Sequence, residues 1–396
     1  MFASAQTSRP ATAGRWHVVT DFPGGSAKIV SVDPARRIIR VSPGGDPERG
    51  FVCWWYFKLE NLEVGTTITI EISASGWGRP DRAQFSYDNR TWTQTAPGEQ
   101  VERNVTAYHI DVSKSEMWIA WGPPFVLRDA EELIARICRL VPEATRFDLA
   151  RSREGRIVPG LRISQAHAAE RPRFGVWIQA RQHAWESGSS WVARGFIEWL
   201  ASDDPLAGSL RSHADIYFIP IMDVDNVEIG AGGKNQKPHD HYWDWAQSPY
   251  FPEVAAAIDR IKRLEEVRTL DLFIDLHNPG STDRNILFYT PAKPLLVAER
   301  LENQNRFLKL ATEEMSGPMQ FNGTLGPQGE TYDPEKDPAS ECWIANYCRP
   351  QVVALTLETP WNTVDSTQSG YLRIGQQLGR AAERYLQQIE RRNAQR

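Results

Sequence analysis

Three short apolar runs, each with an ionisable side chain at or just beyond its end, constrain this chain more than any other feature of its sequence. They span Phe174 to Ala180 (FGVWIQA), Leu270 to Leu276 (LDLFIDL) and Val352 to Glu358 (VVALTLE). Runs of this length between polar segments are typical of buried strands. In open α/β sheets, ligands bind beyond the carboxyl ends of the strands. The runs therefore predict a sheet with functional residues gathered along one edge.

Helical patterns alternate with these runs, which predicts an α/β fold for the second part of the chain. The last helical pattern places its apolar residues on one face, as expected of a helix that packs against the sheet. The predicted helices are Leu127–Leu140, Trp191–Leu200, Glu253–Leu264, Leu295–Met315 and Tyr371–Ile389.

The first part of the chain has the pattern of a β-sandwich. Ile68, Ile70 and Ile72 alternate with polar residues, which is the period of a half-buried strand. Gly122 to Pro124 then interrupts the pattern and marks a boundary. We therefore expect a disordered tail over residues 1–15, an antiparallel β-sandwich domain over 16–124 and an α/β domain over 125–396.

Residue types that bind zinc follow two of the apolar runs. His183 and Glu186 form an H-x-x-E pair after the first run, and His277 directly follows the second. Two imidazoles and one carboxylate leave one position of a tetrahedral zinc ion open, as in catalytic sites. An isolated H-x-x-E pair is more often a solvated pair on a helix, so the pair alone is a weak signal. The trio predicts one bound Zn²⁺ ion.

Glu358 ends the third run and supplies the proton acceptor that such a zinc site needs. A buried carboxylate costs free energy unless it is paired or protonated, so acids in such positions are often functional. Glu358 would take a proton from the attacking water and deliver it to the leaving amine. A solvent-exposed glutamate at a strand end is the structural alternative.

Beyond these residues, the chain resembles the zinc metallocarboxypeptidases, in particular the cytosolic carboxypeptidase-like branch with a β-sandwich before its catalytic domain. The resemblance runs from about Trp16 onward, and its pieces occur in the family's order. They are SREGR (Ser152 to Arg156), HAWE (His183 to Glu186), a helix ending in SDDP (Ser202 to Pro205), the IPI strand (Ile219 to Ile221), DLH (Asp275 to His277) and TLE (Thr356 to Glu358).

The resemblance implies a mixed-sheet α/β/α catalytic domain that hydrolyses peptide bonds. It implies His183, Glu186 and His277 as zinc ligands and Glu358 as the general base, in agreement with the chemistry above. It also implies that the Asp240 carboxylate orients the first ligand histidine.

The chain departs from the family where typical members bind the substrate's terminal carboxylate. Tyr242 and Trp243 stand where an asparagine and an arginine are usual, and neither aromatic residue can neutralise a carboxylate. The arginine that usually stabilises the oxyanion is also missing. Lys234 is a candidate to supply that charge, with Lys237 as its alternative, and Arg284 is the other basic candidate.

Two further positions correspond by resemblance to substrate contacts. Tyr332 matches a tyrosine that closes over the substrate, although a loop tyrosine that only packs its ring is more common. Glu341 falls near the position that lines the specificity pocket, where an acid would favour a basic side chain.

Composition excludes several classes of partner. The net charge of −5 over 396 residues gives no basic surface for nucleic acid. No stretch approaches the roughly 18 apolar residues of a membrane span, and the N-terminus lacks the apolar core of a signal peptide. The sparse cysteines suit a reducing compartment. We expect a cytoplasmic protein with a peptide or protein substrate, and neither a nucleic-acid nor a membrane partner.

Two alternatives to a carboxypeptidase stay open. Without the asparagine–arginine pair, the substrate would be an amide or ester that lacks a free C-terminal carboxylate. Alternatively, the aromatic residues at 242 and 243 fill the cleft of a catalytically impaired protein that retains zinc, or of a carbohydrate-binding protein.

Overall fold

The computed structural model describes residues 16–74, 76–164 and 174–395, so the predicted tail over residues 1–15 lies outside the described residues. Residues 16 to 121 fold into two β-sheets that share one apolar core. Their strands are β1 (His17–Val19), β2 (Lys28–Asp33), β3 (Ile38–Ser42), β4 (Tyr56–Glu60), β5 (Thr67–Ser73), β6 (Gln84–Ser86), β7 (Thr93–Gln94), β8 (Glu99–Glu102), β9 (Val105–Asp111) and β10 (Met117–Ala120).

The two sheets form the sandwich that the sequence predicts. Within the described ranges, one sheet has the order β1-β4-β10-β6-β7 and the other β2-β3-β5-β9-β8. Neighbouring strands are antiparallel, apart from β3 and β5, which run parallel. Ile68, Ile70 and Ile72 of β5 are all buried, as their alternation predicts. We call residues 16–121 the sandwich.

The remaining described residues form a mixed α/β fold, in agreement with the sequence pattern. Its sheet has the order β11-β12-β14-β13-β15-β17-β16, with β14, β13, β15 and β17 parallel and the outer strands antiparallel. The elements are α1 (Leu127–Leu140), β11 (Ala144–Arg151), β12 (Ile157–Ile163), β13 (Phe174–Ala180), α2 (Ser187–Leu200), α3 (Pro205–His213), β14 (Ala214–Ile219), α4 (Val224–Ile229), α5 (Pro252–Glu266), β15 (Leu272–His277), β16 (Leu287–Tyr289), α6 (Ala298–Glu314), α7 (Ser340–Tyr347), β17 (Val353–Glu358) and α8 (Gln368–Ala394).

The three apolar runs are adjacent, completely buried strands of this sheet. Strand β15 lies between β13 and β17 and is parallel to both. His277 is paired in register with Glu358, and Leu276 with Ala180. The carboxyl ends of the three strands therefore meet at one edge, as predicted.

Two pieces of the family resemblance end earlier than the resemblance implies. The IPI strand, over Ile219 to Ile221, stops at Ile219 because Pro220 has no amide hydrogen to continue the ladder. The helix before SDDP stops at Leu200, where the helical pattern Trp191–Leu200 predicts its end, so SDDP lies beyond it. The last residues of that motif instead begin α3, where the Asp204 carboxylate accepts a hydrogen bond from Leu206 N and Pro205 is the first helical residue.

Helix α2 begins directly after Glu186, and its position is set by close contact with α8. A Cβ atom on Gly195 would lie 2.2 Å from Leu372 O, and one on Gly375 would lie 2.0 Å from Val192 O. Glycine at both positions lets the two backbones touch. The apolar face of α8 thus packs mainly on neighbouring helices, α2, α3 and α6, rather than on the sheet. Among the described helices, none is long and apolar enough to cross a membrane.

Candidate metal centre

The loop after β13 carries the H-x-x-E pair in a tight turn. Glu186 N donates a hydrogen bond to His183 O (3.1 Å), which brings the two side chains to one side. Arg181 stabilises the turn from inside the protein. Its φ is 70°, uncommon for a residue other than glycine. Its buried guanidinium donates to Ala184 O (2.8 Å) and Phe125 O (3.0 Å). No sequence pattern predicts this role, because a loop arginine is usually solvated.

The three predicted ligands converge on one point. His183 Nδ1 lies 2.8 Å from Glu186 Oε1, and His277 Nδ1 lies 2.8 Å from Glu186 Oε2. The ligand atoms all lie within 4.8 Å of one another, and the three residues are buried. Burial opposes ionisation of Glu186, but the two histidines outweigh it and hold its pKa well below the usual range. Two imidazole nitrogens and a buried carboxylate fit the donor set of zinc.

A carboxylate lies near the Nε2 atom of each candidate ligand histidine. Asp240 Oδ1 lies 3.4 Å from His183 Nε2, and Asp275 Oδ1 lies 3.3 Å from His277 Nε2. Both ring nitrogens are otherwise buried without a hydrogen-bond partner in the described structure. A carboxylate at this position selects the tautomer that leaves Nδ1 free to bind a metal. Asp240 therefore lies where its predicted role requires.

Asp275 was missed by the sequence analysis, although a signal for it exists. Residues two apart in a strand point to the same face, so Asp275 accompanies His277 by strand geometry alone. Ser340 Oγ donates to Asp275 Oδ2 (2.6 Å), as does Gln182 Nε2. These bonds hold the carboxylate in place.

Glu358 lies beside the metal ligands, in register with His277. Its side chain is buried, and Oε2 has no hydrogen-bond partner among the described residues. Burial, followed by the nearby Glu186 carboxylate, raises the pKa of Glu358 to about 7. A divalent cation among the ligands would lower it again. Glu358 is therefore buried beside the candidate ligands rather than solvated at a strand end, and its role as proton acceptor stays a prediction.

A cavity of about 470 Å³ opens onto the ligands and Glu358. Four of the six predicted substrate residues line it: Lys234, Tyr242, Trp243 and Glu341. Tyr289 and Thr290, at the end of β16, also line it and were not predicted. A larger cleft of about 940 Å³ lies between the sandwich and α1, but it contains none of the predicted site residues.

The structure places two of the predicted substrate contacts outside the lining of this cavity. Arg284 lies outside the cavity, where its guanidinium donates to Asp81 Oδ2 of the sandwich (2.6 Å) and to Ser281 O (2.9 Å). The long side chain of an arginine that is close to a ligand in sequence can form its ion pair away from the metal site. Tyr332 does not line the cavity either, because its ring packs beside Ala292 and Ala339.

Tyr242 connects the metal ligands to Glu341. Its ring centroid lies 5.9 Å from that of His183 and 5.3 Å from that of His277. Its hydroxyl donates to Glu341 Oε1 (3.0 Å). Trp243 beside it is 42% exposed and forms part of the cavity wall.

Lys234 supplies the positive charge nearest to the ligands. Its Nζ lies 3.5 Å from His183 Nδ1 and 3.8 Å from Glu186 Oε1. Among the described cavity-lining residues, it is the sole lysine or arginine. The alternative, Lys237, pairs instead with Glu48 at the surface.

Comparison with known proteins agrees with this geometry. Residues 18–121 match the model of the cytosolic carboxypeptidase N-terminal domain, and residues 131–259 match that of the zinc carboxypeptidases. The chain contains a zinc carboxypeptidase domain preceded by a cytosolic carboxypeptidase N-terminal domain. The zinc carboxypeptidase match implies zinc, and the cluster of His183, Glu186 and His277 is a candidate site for it.

Relatives within the family are mostly longer than this chain. Cytosolic carboxypeptidase 3 of Bos taurus is 23% identical over 267 residues, which cover 60% of this chain and 26% of the relative. Cytosolic carboxypeptidase 2 of Danio rerio is 30% identical over 269 residues, 60% of this chain and 37% of the relative. The chain thus spans well under half the length of these two relatives.

Solved structures of the family share the fold along nearly the whole chain. A metallo-carboxypeptidase from Burkholderia cenocepacia superposes with a TM-score of 0.82 at 21% identity, covering 94% of this chain and 99% of that one. A metallo-carboxypeptidase from Pseudomonas aeruginosa, in complex with (2-guanidinoethylmercapto)succinic acid, superposes with a TM-score of 0.80 at 20% identity. The superposition covers 94% of this chain and 99% of that one. At this identity the similarity establishes the fold.

Proposed function

We propose that this protein is a zinc-dependent hydrolase of the metallocarboxypeptidase type that cleaves a peptide bond. The observation that carries the proposal is the convergence of His183, Glu186 and His277 beside Glu358 in one cavity. The relatives, which are named carboxypeptidases, support the same reaction class. We also propose a two-domain division at residues 16–124 and 125–396 and a cytoplasmic protein that acts on peptides or proteins, without a nucleic-acid partner.

Each proposed catalytic side chain has one task. His183, Glu186 and His277 would hold one Zn²⁺ ion, which when bound supplies Lewis acidity at the scissile carbonyl and lowers the pKa of water. Glu358 accepts the proton of the attacking water and returns it to the leaving amine. The Lys234 ammonium stabilises the negative charge that develops on the carbonyl oxygen. Asp240 and Asp275 keep the two imidazoles oriented.

Metal removal tests the proposal directly. We expect protein purified without chelator to contain one zinc per chain and to hydrolyse peptides. A chelator should abolish turnover, and added zinc should restore it. Protein that holds no zinc, or turnover that persists in the metal-free protein, would contradict the proposal. Zinc retained without turnover on any peptide or amide would instead favour a catalytically impaired protein.

A second candidate function differs in substrate. Because Lys234 is the sole cationic side chain among the described residues that line the cavity, a substrate carboxylate would meet no bidentate guanidinium there. An amide or ester without a free C-terminal carboxylate fits this cavity as well as a peptide end does. Matched peptides with free and amidated C-termini separate the two: faster cleavage of the amidated peptide favours the second candidate, and the reverse excludes it.

Glu341 gives the proposed substrate a side-chain preference. It is 4% exposed, lines the cavity, and forms no ion pair with any described residue. The hydroxyls of Tyr242 and Thr356 are its donors (3.0 and 3.1 Å), and burial raises its pKa. A lysine or arginine side chain of the substrate would supply the missing positive charge. The guanidino compound bound to the Pseudomonas aeruginosa protein is of this type.

Glu341→Gln is therefore expected to lower kcat/KM for a peptide with a basic side chain by about 30-fold, because a buried charge pair is lost. The same variant should change cleavage of a leucine peptide little. Glu330→Gln is the matched control, since that carboxylate lines the same cavity but its side chain is 75% exposed. Equal losses for both peptides would remove Glu341 from substrate selection.

A further inference from the structure

One of the two residues between the ligands of the H-x-x-E turn, Trp185, belongs to the core of the sandwich. Trp185 is 1% exposed and lies within the apolar cluster of the sandwich. It stacks on Trp77 with ring centroids 5.7 Å apart and planes 9° apart, and it packs edge-on against Trp121 at 5.2 Å. The turn that presents His183 and Glu186 is thus attached to the sandwich through the Trp185 side chain.

Trp77 also lies close to the loop that follows the third ligand. A Cβ atom placed on Gly280 would lie 3.5 Å from the Trp77 ring, so this ring is near the backbone three residues beyond His277. One side chain of the sandwich therefore packs on the first segment that supplies metal ligands and lies beside the second. A shift of Trp77 would allow the two segments to move relative to each other.

The segment after Glu358 joins the same aromatic cluster. Trp361 lies three residues beyond Glu358, with its ring centroid 4.5 Å from Trp121 and 5.6 Å from Trp185. The cluster thus connects the metal ligands to the proposed base through packed rings. Aromatic pairs in such edge and stacked geometries add stability beyond the area that they bury.

A loop of the sandwich positions Lys234 through backbone hydrogen bonds. Phe51 N donates to Lys234 O (2.9 Å), and Gly233 N donates to Arg49 O (2.9 Å). Gly50, with φ of 108°, permits this approach, because a Cβ there would lie 2.6 Å from Gly233 N. The Phe51 ring packs edge-on against Trp77 at 5.0 Å. The loop and the aromatic cluster therefore form one continuous support.

We infer that the sandwich is a structural part of the metal centre and that Trp77 is a positioning residue for the zinc ligands. Without its ring, the 183–186 turn and the loop after His277 lose their common support. The ligand atoms would then be held less well in the geometry that zinc requires. This inference rests on the zinc site of the proposed function, and it adds that zinc affinity depends on a residue that contacts neither metal nor substrate.

The zinc affinity of the Trp77→Ala variant, measured by competition with a chromophoric chelator, tests the inference. We expect the dissociation constant to rise about tenfold, the lower end of the effect of losing a residue that orients ligands. Trp77→Phe, which keeps an aromatic ring, should recover most of the affinity. Trp118→Ala is the matched control: it removes a partly buried tryptophan of the same domain that lines the other cleft, and it should bind zinc like the wild type.

Circular dichroism and thermal unfolding of the metal-free proteins separate folding from metal binding. A folded Trp77→Ala protein with wild-type zinc affinity would overturn the inference, as would equal weakening in Trp118→Ala. Should Trp77→Ala fail to fold, Trp77→Leu keeps an apolar side chain without a stacking surface. Weaker zinc binding by Trp77→Leu supports the inference, and unchanged binding overturns it. A wild-type protein that binds no zinc would instead contradict the proposed function.

Discussion

Glu358→Gln is expected to lower kcat by about 10³-fold, within the range for loss of a general acid–base group. The amide occupies the same space as the carboxylate but cannot accept the proton of the attacking water. Because Glu358 contacts no ligand histidine through a hydrogen bond, zinc affinity should stay close to that of the wild type. Steady-state kinetics and metal analysis of the same preparation check both parts.

The pH profile gives this prediction a second readout. Glu358 must be ionised to act as a base, so kcat/KM should fall as the pH drops through its pKa. That pKa is about 7 in the metal-free protein and lower once zinc is bound, which places the acid limb below pH 7 in the zinc enzyme. Glu330→Gln, which changes an exposed carboxylate of the same cavity, should keep full turnover. Turnover that survives in Glu358→Gln would assign the base elsewhere.

His183→Ala and His277→Ala are each expected to weaken zinc binding by more than about 100-fold, the upper end for residues that only orient ligands. Each variant removes a ligand from a set of three and leaves the buried Glu186 carboxylate with one histidine partner. Competition with a chelator gives the affinities, and turnover should fall with zinc occupancy. Asp275→Asn should give an intermediate loss of about 10 to 100-fold.

His109→Ala is the control for these ligand variants, because His109 is exposed on strand β9 of the sandwich. It should bind zinc like the wild type. Full zinc affinity in His183→Ala or His277→Ala would contradict the proposed ligand set, and with it the proposed reaction.

The elements that carry the site were predictable because each is a local pattern. A run of buried apolar residues such as Phe174 to Ala180 predicts a strand wherever it occurs. Strand ends then predict where His277 and Glu358 lie, and the β5 alternation predicts a sheet with one buried face. The same reasoning also predicts that Asp275 lies beside His277, since the two residues are two positions apart and share one face of the strand.

Contacts between residues far apart in the sequence were not predictable, because they depend on the length of the side chains and on the course of the loops. Arg284 is seven residues from His277 in sequence, yet it pairs with Asp81 of the sandwich. Tyr332 packs against Ala292 and Ala339 and does not line the cavity. Lys234 comes close to the ligands because the loop at Phe51 holds its backbone.

The sequence by itself determined the two fold classes, the three candidate zinc ligands and the proposed base, because strand patterns and ligand chemistry act over a few residues. Tertiary structure decided which cation faces the ligands, that Tyr242 bridges to Glu341, and that Trp185 ties the ligand turn to Trp77. These contacts join residues that lie from about fifty to more than a hundred positions apart in the sequence. Their formation depends on how distant parts of the chain pack together, and no local pattern records that packing.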